Sequence, residues 1–237
     1  MKLSKLYGIG VGPGDPELLT IKAYKILKEV DMIVTPRSSE DKRSLALLTI
    51  EGIINERKNE PIVVEPVFPM TKDQAKLDFY WEKAREEVLK NMKDMKGCET
   101  VAFITLGDPS LYSTFYRFLK IFKDVVDEVE VVPGVTSFSA CSSIAKTPIA
   151  EGNEIVSIVL DITGNDNAVQ IIKNSDSLIF LKLKNMDKIK TMLGNKKAII
   201  GIKVGFKDQK MFFGGLNELQ QPDHYLSTLI VKKEPQD

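Results

Sequence analysis

Two rhythms of apolar residues alternate along this chain. Short continuous runs bounded by Gly, Pro or Asp read as buried strands, and apolar residues at i, i+3 and i+4 read as helix faces. Residues 6–11 form the first strand-like run. After Gly12-Pro13-Gly14-Asp15-Pro16, one helical face carries Leu19, Ala23, Ile26, Leu27 and Val30. Asp15 is the expected N-cap and Pro16 the first helical residue. Strands are predicted over 31–35, 61–67, 100–106 and 129–132, and helices over 44–56, 73–96 and about 137–145. The helix over 73–96 is highly charged, with only a loose stripe of Ala75, Phe79, Ala84, Val88, Met92 and Met95; Trp81 is expected to pack. Gly107-Asp108-Pro109 repeats the first turn, and Leu111, Phe115, Phe118, Leu119 and Phe122 repeat the first helical face, with Asp108 as expected N-cap. Further on, strands are predicted over 154–160, 178–183, 198–204, 210–213 and 225–232, and helices over 165–172 and 186–193.

Alternating strands and helices imply an α/β fold with a parallel sheet and right-handed crossovers. The texture changes near Thr147-Pro148, so two α/β domains are expected. The first, 1–136, is a five-stranded parallel sheet flanked by helices and carries the glycine-rich turns. The second, 137–237, is a mixed sheet with helices.

Composition narrows the function. The chain has 237 residues, with 33 Lys+Arg against 33 Asp+Glu. A neutral chain argues against a general nucleic-acid binder or an acidic solvating tail. Apolar residues at 43% and charged residues at 28% fit a folded protein and not a disordered one. Cys98 and Cys141 cannot build a disulfide framework or a zinc-ligand pattern, and one histidine, His224, cannot supply a multi-histidine metal site. No metal site is expected. No apolar stretch approaches the ~20 residues of a membrane span, and no signal-peptide core follows Met1. A cytoplasmic location is expected.

Three strand-to-helix turns are unusual: 8–15, rich in glycine; Gly107-Asp108-Pro109-Ser110; and Pro133-Gly134-Val135-Thr136-Ser137. All three should lie on one edge of the first sheet, beyond the C-terminal ends of its strands, where such sheets bind ligands. Glycine permits close approach to the backbone, and free N–H groups at a helix start favour an anionic group. Helix-capping turns without a ligand would have the same composition. A dinucleotide fingerprint fails because Pro13 stands where its third glycine belongs. A phosphate-binding P-loop fails because Asp15, not Lys, follows Gly14. The common nucleoside-binding methyltransferase loop fails because Leu6 replaces its acidic residue.

At these turns the sequence resembles the tetrapyrrole (corrin and sirohaem) methyltransferases. Gly10-Val11-Gly12-Pro13-Gly14-Asp15 with Leu18-Leu19-Thr20, then Gly107-Asp108-Pro109, then Val132-Pro133-Gly134-Val135-Thr136-Ser137 follow that family's three ordered signatures. The stretch from Gly107 to Phe115 and the ending from Tyr225 to Val231 resemble the branch that methylates C20 of precorrin-2 or cobalt-factor II in cobalamin biosynthesis. Other corrin methyltransferases (C11 or C17) and diphthine synthase are the enzymatic alternatives, although Pro13 speaks against the last. A nucleotide-binding module without catalysis is the other class.

The resemblance implies a homodimer that binds S-adenosylmethionine in a cleft between the two domains. By position it places cofactor contacts on Pro13, Leu106, Gly107, Asp108, Leu111, Thr136, Ser137, Leu181 and Gly205, with Leu181 standing where relatives often have methionine. It implies methyl transfer to an electron-rich carbon of a reduced tetrapyrrole, for which alignment matters more than acid–base chemistry. No catalytic residue is assigned. The substrate carries eight carboxylates, so Arg37, Tyr112 and Lys182 are expected to bind it, and Lys42, Arg43 and Lys184 are weaker cationic candidates.

Overall fold

The structure, a computed structural model, describes residues 2–69, 71, 73–95, 97–160 and 168–232. The chain divides into two compact units, Met1–Thr136 and Ser137–Asp237, each with its own five-stranded sheet.

In the first unit the strands are β1 (Leu3–Gly10), β2 (Met32–Val34), β3 (Ile62–Val64), β4 (Thr100–Thr105) and β5 (Val126–Val132). Their order is β3-β2-β4-β1-β5 and every pairing is parallel. The connecting helices are α1 (Ile21–Glu29), α2 (Leu45–Asn55), α3 (Gln74–Asp94) and α4 (Phe115–Phe122). Helices cover both faces, which explains the continuously apolar strands. Leu3, Leu6 and Phe103 pack with Trp81, Val88, Phe115 and Phe118, while Ile9, Ile33 and Ile104 pack with Ala23, Leu27 and Ile50. Gly8 leaves room for the Phe115 ring, which lies where a Cβ would stand.

Two expected helix starts move. Asp15 does cap, accepting the Glu17 N–H at 2.9 Å, but it closes only a 3-10 turn over Pro16–Leu18. Leu19 and Thr20 are extended, and the Thr20 hydroxyl caps α1 through the Ala23 N–H at 3.1 Å. The helix expected from Asp108 begins at Phe115, so Leu111 lies outside it. The Asp108 carboxylate is drawn instead to Gly134, 26 residues away. On α3 the buried stripe is Trp81, Ala84, Val88 and Met92. Phe79, expected in that stripe, is 63% exposed, and Trp81 packs on Phe68 with ring centroids 4.1 Å apart.

The second unit holds α5 (Ser137–Ala145), β6 (Val156–Val159), α6 (Ala168–Asn174), β7 (Ser177–Leu181), α7 (Met186–Leu193), β8 (Lys197–Ile202), β9 (Lys210–Gly215) and β10 (Ser227–Lys232). The beginning of the helix predicted over 165–172 lies outside the described residues. The sheet order is β6-β7-β10-β8-β9, parallel only between β6 and β7, hence mixed as expected. Phe180, Ile200 and Leu229 pack with Met186 and Ile189 of α7. On α5 the Cys141 sulfur occupies space that Gly201, without a side chain, leaves open.

Candidate functional site

β4, β1 and β5 are neighbours and parallel, so the three unusual turns leave the first sheet side by side. Their backbones interlock. The Gly107 N–H donates to the Gly12 carbonyl at 2.7 Å, and the Val11 N–H to the Thr105 carbonyl at 2.9 Å. A Cβ on Gly10 or on Gly134 would collide with the Gly107 carbonyl and with the other glycine's backbone. These two glycines therefore serve backbone packing rather than ligand approach. Gly107 differs: its φ is +69° and a Cβ there would meet nothing within 4 Å. Here glycine opens the backbone to space as the composition suggested. Pro13 is buried between Gly12 (φ +75°) and Gly14 (φ +148°).

Asp108 fastens this edge. Its Oδ2 accepts the Gly134 N–H at 3.0 Å. Its Oδ1 accepts the Ser110 N–H at 2.8 Å and the Ser110 hydroxyl. Burial works to raise its pKa, but the Ser110 hydroxyl, the Ser110 N–H and the Gly134 N–H outweigh burial and hold the carboxyl below the usual carboxylate range. It is thus an ionised bracket and poorly suited to take up a proton. The Leu111 N–H returns to the Asp108 carbonyl at 3.2 Å and completes the turn. Leu106, half-buried, packs against the core of the β1 face. Tyr112 follows with φ +51° and is 43% exposed, in a left-handed conformation that tyrosine rarely takes. Thr136 is half-buried at the end of the third turn.

Arg37 lies past the end of β2, on the same sheet edge, and bridges to Val67. Its Nε donates to the Glu65 carbonyl at 2.9 Å and its Nη1 to the Glu40 carbonyl at 2.7 Å. It borders a small cleft with Glu40, Glu65, Val67, Tyr80 and Lys83. The guanidinium thus pins two loops together. Arg43 is paired with Glu51.

In the second unit, Ser137, Leu181, Lys182 and Gly205 gather where β7 and β8 end and β10 begins. The Ser137 hydroxyl, first in α5, meets the Thr228 hydroxyl at 3.0 Å. Leu181 pairs with Thr228 across the β7–β10 ladder. Lys182 has φ +55° and its N–H donates to the Ser227 carbonyl at 2.9 Å. Burial, and then the Lys184 charge, push its amine below the usual lysine value. Gly205 has φ +88°, and its N–H donates to Gln209 Oε1 at 3.0 Å. Sequence reasoning missed Ser110, the partner of Asp108, and Lys203, which stands after β8 as Lys182 does after β7. A Ser two residues after an Asp-Pro start is a known turn signal; nothing local marks Lys203.

Neither cysteine suits nucleophilic chemistry. Burial, with a minor contribution from Asp31, pushes the Cys98 thiol up to about 11, and burial pushes Cys141 up to about 12. His224 Nδ1 accepts the Leu226 N–H at 3.0 Å at the entry to β10, a strand-edge role.

Comparison with known proteins agrees with these elements. The family profile described as tetrapyrrole (corrin/porphyrin) methylases matches residues 5–220. A curated relative from Methanocaldococcus jannaschii, carrying the name "Probable cobalt-precorrin-2 C(20)-methyltransferase", is 38% identical over 98% of this chain and 97% of its own length. The cobalt-precorrin-2 C(20)-methyltransferase of Salmonella typhimurium is 28% identical over 97% of each. Among solved structures, a cobalamin synthesis related protein from Corynebacterium diphtheriae superposes with a TM-score of 0.74 at 18% identity, over 97% of this chain and 98% of that one. A uroporphyrin-III C-methyltransferase from Thermus thermophilus, complexed with S-adenosylhomocysteine, has a TM-score of 0.67 at 21% identity, over 97% of this chain and 98% of that one. The structural likenesses speak for the fold.

Proposed function

Because this chain belongs to the tetrapyrrole (corrin/porphyrin) methylases, we propose that it transfers a methyl group from S-adenosylmethionine to C20 of precorrin-2 or its cobalt form, in cobalamin biosynthesis. The 38% identity to the Methanocaldococcus jannaschii protein, over nearly the full length of both, carries this reading. The first unit fits such a cofactor in one specific way. The Gly107 peptide sits at a sheet edge in a conformation that glycine favours, with open space where a side chain would be.

The cofactor supplies an activated methyl group on a sulfonium. The chain's task is to place that methyl in line with a nucleophilic carbon, and such alignment is worth several kcal/mol, on the order of 7–11 at best. The interlocked turns suit it, because a backbone fixed at Gly10, Gly107 and Gly134 has little room to reorganise. Asp108 serves as a positioning residue through Gly134. In the first unit, Pro13, Leu106, Gly107, Asp108, Leu111 and Thr136 are the proposed cofactor contacts. In the second, Ser137, Leu181 and Gly205 are. Arg37, Tyr112 and Lys182 are the proposed substrate contacts. Residues 1–136 and 137–237 are proposed as the functional domains, and the working protein as a cytoplasmic homodimer. No helix among the described residues is long and apolar enough to cross a membrane.

The test is transfer of labelled methyl from S-adenosylmethionine to precorrin-2 and to its cobalt form under anaerobic conditions, with the methylated carbon located by NMR. Label at C20 is the expected result. Label at another carbon would move the protein to another corrin methyltransferase branch, and binding without transfer would leave only the non-catalytic module.

A further inference from the structure

The second unit builds one local device twice. β7 and β8 both pair antiparallel with β10, so they point the same way. Each is followed at once by a lysine in the left-handed conformation, Lys182 at φ +55° and Lys203 at φ +50°. Each lysine hands its N–H to the entry of β10, Lys182 to the Ser227 carbonyl at 2.9 Å and Lys203 to the Leu226 carbonyl at 2.8 Å. Each precedes a buried apolar residue, Leu183 or Val204. Left-handed backbone is unfavourable for lysine, and such strain collects at functional positions. Lys146, at φ +52°, has a different origin. Its N–H returns to the Ser143 carbonyl at the end of α5, which is ordinary helix-end geometry.

The two copies differ in how the ammonium is answered. Lys203 Nζ lies 2.6 Å from Asp208 Oδ2. Lys182 has no carboxylate partner among the described residues, and the neighbouring charge that acts on it is another cation, Lys184. Burial nevertheless acts on Lys182. A half-buried ammonium with no anion beside it is unfavourable, and such groups are retained where something else completes them.

We infer that Lys182 is a carboxylate-binding site, where an anionic group of the ligand takes the place that Asp208 holds beside Lys203. This rests on the methyltransferase reading, and it narrows the role of Lys182 to gripping a single carboxylate. Two sources of a carboxylate are available in that reaction: the amino-acid end of the cofactor and the acid side chains of the tetrapyrrole.

The experiment is calorimetric titration of the full chain with S-adenosylhomocysteine and, separately, with precorrin-2 under anaerobic conditions. Lys182→Met keeps the apolar stem and removes the charge. Lys182→Gly removes the charge and relieves the backbone, which provides a second variant should Lys182→Met fail to fold. The expected result is a loss of about tenfold or more in affinity for one of the two ligands, with a flatter salt dependence for that ligand. The ligand that weakens is the source of the carboxylate. In the absence of ligand Lys182→Met, which leaves the backbone strain in place, should melt at a higher temperature than wild type, which a merely structural lysine would not give. Lys90→Met, which removes an exposed lysine of α3, should leave both affinities nearly unchanged. Unchanged affinity for both ligands in a folded Lys182 variant, or an equal loss in Lys90→Met, would overturn the inference. Failure of the wild type to bind either ligand would instead sink the methyltransferase reading, and this inference with it.

Discussion

Asp108 and Gly134 stand 26 residues apart in sequence and are joined by one hydrogen bond of 3.0 Å, from the glycine N–H to the aspartate Oδ2. Through it the turn after β4 holds the turn after β5. Asp108→Asn offers one acceptor where the carboxylate offers two, so its amide must face either the Gly134 or the Ser110 N–H. The expected loss of stability is about 1–3 kcal/mol, read by urea unfolding, together with weaker binding of S-adenosylhomocysteine. Ser110→Ala, which keeps both carboxylate oxygens in place, should lose less of each.

The same carboxylate makes a prediction in pH. Folding lowers the Asp108 pKa. Its contribution is therefore complete above the unfolded carboxylate value of about 3.9 and is lost as pH falls through the lower folded value. The stability gap between wild type and Asp108→Asn should be constant from pH 5 to 8 (a range set by that value of about 3.9) and should close on further acidification. A gap that widened below that window would mean the carboxyl is protonated in the folded protein.

The glycines separate by substitution. Gly10→Ala and Gly134→Ala push a methyl into backbone atoms, and each should destabilise by about 1–3 kcal/mol or more. Gly107→Ala has open space and suffers mainly from its positive φ, so it should fold and yet bind the cofactor more weakly. Thermal melts and calorimetry on the three variants check this; normal cofactor affinity in Gly107→Ala would remove Gly107 from the site.

Tyr112→Gly relieves a left-handed backbone that costs about 1–2 kcal/mol, against a similar gain of unfolded-chain entropy. Stability should change little, while the KM for the tetrapyrrole rises. Tyr112→Phe should retain the wild-type KM if the ring, not the hydroxyl, meets the substrate. A glycine variant with wild-type kinetics would leave the strain without a function.

Arg37→Ala removes two hydrogen bonds to loop carbonyls and should destabilise by about 1–3 kcal/mol. If the guanidinium also grips a substrate carboxylate, KM for the tetrapyrrole rises and its salt dependence flattens, with cofactor affinity unchanged. Destabilisation with unaltered KM would leave Arg37 as a loop pin alone.

The sequence was most legible where a signal was local and repeated. α5 begins at Ser137 and ends at Ala145 as the pattern indicated, and the parallel order of the first sheet followed from alternating runs. It failed where one side chain had two possible partners. Asp-Pro reads as a helix start, and Asp15 does cap, yet Thr20 five residues on starts the helix proper. At Asp108 the competing donor was the Gly134 N–H, which no local window contains. The glycines look alike in sequence, but Gly10 and Gly134 answer to backbone atoms from other turns, and Gly107 answers to its own φ and to open space. The cation at Lys182 was visible; its likeness to Lys203 was not, because it depends on β10 lying between two strands that sequence order keeps apart.

That placement of β10 has a consequence for how the protein is made. The first sheet owns all five of its strands once the chain has reached Val132. In the second, the strand at the centre is the last to leave the ribosome: β10 seats between β7 and β8, which precede it by dozens of residues. Until residues 227–232 emerge, the inner edges of β7 and β8 have nothing to pair with, and unpaired edges are the places where nascent chains associate wrongly. Biogenesis of the second unit is thus held open until its final strand arrives, and a ribosome stalled short of that point would leave a finished first unit tethered to an unzipped second one.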